Sequence, residues 1–67
     1  MEEIVFIVKE SEEGGFEAKA LDVSIFTEGE TIYELKNNIK EAVNLHYDDA
    51  VKRIARLHFV KEEVFAV

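Results

Sequence analysis

Thr27-Glu28-Gly29-Glu30-Thr31-Ile32-Tyr33-Glu34-Leu35 is the stretch in which the chain changes its period. Upstream of Gly29, the strand-like stretches at residues 3–10 and 16–21 follow a period of two. Downstream of Thr31, apolar residues recur at spacings of three and four. Thr31 followed by Glu34 reads as a capping box, in which the threonine oxygen accepts the N3 amide and the glutamate reaches back. Glu28, Glu30 and Glu34 also suit the positive end of a helix dipole. A helix is therefore expected from about residue 32 to about residue 47. Ile32, Leu35, Ile39, Ala42, Val43, His46 and Tyr47 then form one stripe facing a sheet. Lys36, Asn37, Lys40, Glu41 and Asn44 face water.

Working backwards, residues 24–28 read as a short strand with Ile25 and Phe26 on opposite faces. Residues 3–10 alternate and are rich in β-formers, with Ile4, Phe6 and Val8 on one face and Val5 and Ile7 on the other. A strand apolar on both faces is central, or has its second face covered by another chain. Glu12-Glu13-Gly14-Gly15 is a turn signal, and residues 16–21 form the returning strand. A two-residue turn at Gly14-Gly15 would set Ala20 beside Lys9. A three-residue turn over residues 13–15 is expected to align Phe16, Ala18 and Ala20 with Val8, Phe6 and Ile4. That arrangement gathers one apolar face, and burial usually fixes register.

Working forwards, the period returns to two after Asp48-Asp49. Residues 53–60 read as a strand, with Ala55, Leu57 and Phe59 facing one way and Ile54, Arg56, His58 and Val60 the other. Lys61-Glu62-Glu63 is a charged turn or bulge. Val64-Phe65-Ala66-Val67 is apolar, and such a segment left exposed invites aggregation. It is expected to form an extra strand, paired within the chain or against a second subunit.

The resulting order is β-β-β-α-β, an α+β fold with one helix packed on a mainly antiparallel sheet. Val5, Ile7 and Leu21 lie on the sheet face with no second helix to cover them. Self-association as a homo-oligomer is the expected consequence. The residues expected at a partner or subunit interface are Val5, Ile7, Leu21, Asp22, Val23, Phe26, Val64 and Phe65.

At 67 residues the chain forms a single domain over residues 1–67. A domain of this size buries only about 60% of its unfolded surface. It contains no cysteine, so neither a disulfide nor a zinc–thiolate site supports it. The apolar fraction of 48% leaves apolar surface over for a partner. No apolar run approaches the roughly 20 residues that a membrane helix needs. The start, Met1-Glu2-Glu3, lacks the positive charge of a secretory signal. A cytoplasmic location is expected.

The net charge of −7 is unevenly spread. Residues 1–35 hold ten acids and two lysines, for −8. Residues 36–67 hold five acids and six bases, for +1. An acidic surface repels phosphate, so direct nucleic-acid binding is not expected. The same field attracts a basic partner.

Little in the chain suggests catalysis. His46 and His58 could join Asp48 or Asp49 around a metal, but no compact ligand motif is present. The acid pairs Glu2-Glu3, Glu12-Glu13 and Glu62-Glu63 lie at a terminus or in turns, where nothing separates their pKa values. Ser24 has no nucleophile-elbow context. Thr31 is accounted for as a cap. Gly14-Gly15 joins strands and does not open a helix, so it is not a phosphate loop. No catalytic residue, metal ligand or cofactor is expected.

Glu12-Glu13-Gly14-Gly15-Phe16, Thr27-Glu28-Gly29-Glu30-Thr31, Glu34-Leu35 and Glu41-Ala42-Val43 together resemble the HicB-like antitoxin domain. That family has an acidic-Gly-Gly-aromatic hairpin, a T-x-G-x-T segment and a helix carrying Glu-Ala. The resemblance covers roughly residues 3–48. It implies a cut-down ribonuclease H fold without catalytic acids. It also implies a binding role, in which the domain masks a small basic messenger-RNA-cleaving toxin of the HicA type. Asp22-Val23-Ser24-Ile25-Phe26 stands where the family usually has a Pro-x-x-Gly-Cys stretch. The alternative expectation is a stand-alone homo-oligomeric structural or regulatory protein.

Overall fold

The structure is a computed structural model, and it describes residues 2–67. The elements are β1 (Glu2–Glu10), β2 (Phe16–Ala20), β3 (Phe26–Gly29), α1 (Ile32–His46) and β4 (Arg53–Val60). They form one four-stranded sheet in the order β3-β2-β1-β4, with the helix on one face. The α+β architecture is the one that the periodicity implies. β1 is central, as its two apolar faces require. The sheet is mixed. β1–β2 and β2–β3 are antiparallel, whereas β4 lies parallel to β1 on its far side. β3 and β4 therefore run in the same direction at opposite edges, and α1 carries the chain across between them.

The hairpin corrects one expectation. Its loop is Glu12-Glu13-Gly14, closed by Gly14 N–H donating to Ser11 O at 3.1 Å and Ser11 N–H donating to Gly15 O at 3.0 Å. The register pairs Phe6 with Ala20, Val8 with Ala18 and Glu10 with Phe16. Relative to the expected alignment, β2 slides by two positions. A slide of two keeps every side chain on its face, so burial fixed the face but not the pairing. Gly14 and Gly15 both adopt positive φ, at 98° and 77°, so the reversal is completed inside the loop and Ser11 stays in line with the sheet.

The core lies between the sheet and the helix: Ile4, Phe6 and Val8 from β1, Ala18 and Ala20 from β2, Ile25, and Leu35 and Ile39 from α1. Phe6, Val8 and Leu35 are wholly buried. Small residues on β2 and at Gly29 let the helix come close. A Cβ on Gly29 would stand 2.6 Å from the Leu35 nitrogen. At the helix start the Thr31 Oγ1 accepts the Glu34 amide at 3.1 Å, and the described residues show only this threonine half of the capping box. Asn38 ties α1 to β3 by donating to Glu28 O at 2.7 Å. At the other end Tyr47 N–H donates to Val43 O and closes the helix. His46, expected to face the sheet, is exposed in the last turn with its ring edge-on to Tyr47. No strand forms after Val60, so the extra C-terminal strand is not made within this chain.

Candidate functional site

A helix with its side chains is about 10–12 Å wide. Four strands at ~4.8 Å spacing are roughly 19 Å across. One helix therefore cannot cover one face of this sheet. Here α1 packs over β3 and β2. Ala55, Leu57 and Phe59, which share the helix-side face with Ile4, Phe6 and Val8, extend beyond it. The result is a groove of about 330 Å³ between α1 and β4, floored by Ile4, Ile39, Val43 and Leu57. Lys36 and Lys40 stand on its helix wall, and Arg53 closes one end.

Arg53 anchors that end of β4. Its guanidinium lies 3.7 Å from the centroid of the Tyr47 ring. It donates to both oxygens of Asp49 at 2.8 and 2.9 Å, and to Glu2 Oε2 at 2.9 Å. The Asp49 carboxyl is held down to about 2, first by the Arg53 hydrogen bonds and then by the Val51 amide. Next along the strand, Arg56 bonds Glu3. That contact lowers the Glu3 carboxyl below its usual range and raises the arginine.

The opposite sheet face is bare. Val5 and Ile7 are half-buried at its centre. Ile7 lies in register with Lys19 on one side and His58 on the other, and Lys19 in turn opposes Phe26. Leu21 N–H donates to Val5 O, which carries the chain one residue past β2. Leu21 is 60% exposed and Phe26 59%. With Ile7 and Val60 they line a concavity on this face. Ion pairs rim it: Lys9 with Glu17 at 3.5 Å, and Arg56 with Glu3.

Of the residues expected at an interface, Val5, Ile7, Leu21 and Phe26 come together on this face. Asp22 is exposed in the bend before β3. Val23 turns the other way and packs against the core. Val64 and Phe65 lie in the segment after β4, 95% and 73% exposed, with no partner strand among the described residues. At one end of the molecule the hairpin tip, the end of β3 and the first helical turn gather Glu13, Glu28, Glu30 and Glu34 around a hollow. The groove beside β4 went unread in the sequence, because it arises from a mismatch of widths that no single residue announces.

His46 and His58 lie on different elements, one in the last turn of α1 and the other on the bare face of β4. Among the described residues, no three His, Cys, Asp or Glu side chains converge as metal ligands would. Nor is any described helix long and apolar enough to cross a membrane.

A helix covering half of one sheet face, with the other face and a long edge open, defines a two-layer α+β domain of the open-faced kind. The chain belongs to the UPF0150 family. It is 46% identical over 65 residues to a UPF0150 protein of Thermotoga maritima, a match covering 97% of this chain and 93% of the relative. It is also 39% identical over 46 residues to a UPF0150 protein of Archaeoglobus fulgidus, covering 69% of this chain and 68% of that one. No family profile matches the chain. No solved structure matches it.

Proposed function

We propose that this domain is a non-catalytic, cytoplasmic binding module that works as an antitoxin of the type II kind, masking a small basic RNA-cleaving toxin. The observation that carries the reading is the bare sheet face centred on Val5, Ile7, Leu21 and Phe26. An apolar centre within a charged rim is the usual anatomy of a protein-docking surface. The acidic end formed by Glu13, Glu28, Glu30 and Glu34 supports it, since such a field speeds encounter with a basic protein. The HicB-like order of hairpin, T-x-G-x-T segment and helix points to the same class of partner.

The test is co-expression with a short basic protein encoded beside this chain's gene. The expected result is a stable complex in which RNA cleavage by the basic protein stops. Leu21→Glu and Phe26→Glu should release the cleavage while leaving the fold intact, because both side chains are already more than half exposed. A basic neighbour that neither binds nor is silenced would overturn the reading.

A second reading, a stand-alone homo-oligomer of structural or regulatory role, is favoured by a different observation: the open outer edge of β4 and the apolar segment that follows it.

A further inference from the structure

We infer that β4 pairs antiparallel with β4 of a second copy across a twofold axis near Phe59, and that residues 61–67 of each chain complete the partner's edge. The proposal deepens the oligomer reading and is independent of any toxin.

The sheet has two edges, and they differ. β3 is four residues long and lies under the start of the helix. β4 is eight residues long, without proline or glycine, and its outer row of amides and carbonyls has no partner strand among the described residues. Folded proteins seldom leave such an edge undefended. The residues after it sharpen the point. Between Val60 and Val67 there is no glycine, proline, asparagine or aspartate to turn the chain back. The segment runs on from β4 exposed throughout, and the chain measures 51 Å in its longest extent against 19 and 17 Å. A strand's own continuation cannot pair with that strand unless it reverses. In a twofold antiparallel pair it need not, because each continuation runs along the start of the other copy's β4.

The side chains favour this register over one centred on Leu57. With Phe59 opposite itself, Arg56 faces Glu62 of the second copy and Ile54 faces Val64. On the helix side, Arg53 faces Phe65, beside the end of the groove that Arg53 closes. Two symmetry-related opposite-charge pairs form and no like charges meet, as favourable cross-strand pairing requires. Moving the axis to Leu57 sets Arg53 against Lys61 and Arg56 against His58, and leaves residues 64–67 unpaired. The occupant is therefore a second copy of this chain, held edge to edge in one eight-stranded sheet.

The chain contains no cysteine, so a single introduced one reports cleanly. Directly opposed residues in an antiparallel pair have Cα atoms ~4.5–5.5 Å apart, within disulfide reach. Phe59→Cys is expected to form an interchain disulfide on mild oxidation. Leu45→Cys, on the exposed outer surface of α1, is expected not to. Light scattering of the unmodified chain should give twice the 7.7 kDa of one copy. Deleting residues 64–67, which make no contact with the core, should weaken the dimer on the order of tenfold or more while far-ultraviolet circular dichroism is unchanged. A monomer at micromolar concentration would overturn both this inference and the oligomer reading. A dimer whose Phe59→Cys variant cross-links no faster than Leu45→Cys would overturn the edge pairing alone, and would move the interface to the bare sheet face. Neither outcome bears on toxin binding.

Discussion

The guanidinium of Arg53 lies over the ring of Tyr47, with its central carbon 3.7 Å from the ring centroid. The contact joins the first residue of β4 to the residue that caps α1. Arg53→Lys keeps the charge but loses the planar fork and the stacking. It should lower the melting temperature almost as much as Arg53→Ala does. A thermal double-mutant cycle with Tyr47→Leu checks this, and strict additivity of the two changes would contradict it.

The same arginine sets an acid limit. Asp49 titrates at about 2 in the folded chain against 3.8 ordinarily, and Glu3 is also lowered by its bond to Arg56. A depressed carboxyl stabilises the fold above its unfolded pKa, and the benefit is lost as pH falls through the folded one. Stability should therefore decline from about pH 4 towards pH 2. Asp49→Asn should flatten that decline, as measured by urea unfolding at pH 5 and pH 2.5. An unchanged slope in the variant would remove Asp49 from the account.

The three glycines should respond differently to alanine. At Gly29 the added carbon would lie 2.6 Å from the Leu35 nitrogen, and at Gly15 it would lie 2.7 Å from Gly29 O with φ already positive. Both neighbours are backbone and cannot step aside, so each change should cost about 1–3 kcal/mol. At Gly14 the added carbon meets nothing within 4 Å, leaving only the cost of positive φ, about 1 kcal/mol. Chemical denaturation of the three variants would rank them.

The helix can be dissected in the same way. Leu35→Ala, at a wholly buried site, should cost about 2–5 kcal/mol. A core this small supplies only ~3–5 kcal/mol, so the variant should be largely unfolded. Thr31→Ala removes the cap to the Glu34 amide and should cost about 1 kcal/mol. Leu45→Ala, on an exposed site, should stay within roughly 0.5 kcal/mol. Amide circular dichroism against urea distinguishes the three.

The elements were legible because each is a local pattern. The helix starts at Ile32 as the Thr31–Glu34 spacing implies, and Arg53–Val60 was readable to its ends. What the pattern lacks is any term linking distant residues. Nothing near Glu2 or Arg53 says that these two will sit side by side in parallel strands. The hairpin face was readable from alternation, but its register depended on where the glycine turn closed. His46 keeps the spacing of the buried stripe, yet the stripe loses its cover in the last turn of α1. Asn38 looks like an ordinary polar helix residue until Glu28 O comes within its reach. Val5, Ile7, Leu21 and Phe26 were foreseeable as a group, because β1 is apolar on both faces and the chain has one helix.

The parallel pairing of β1 with β4 imposes an order on synthesis. Of the described strands β1 is made first, and β4, the neighbour on its outer side, is made last. Their contacts span about fifty residues, as Glu2 and Arg53 show. Closing so long a loop is slow, because chain entropy is lost before any contact repays it. The three-stranded hairpin system and α1 can assemble while one flank of the central strand stays unzipped. During that interval the nascent protein displays a sticky β1 edge rather than a β4 edge. Pulse-labelled hydrogen exchange during refolding should find the amides of β4 protected last.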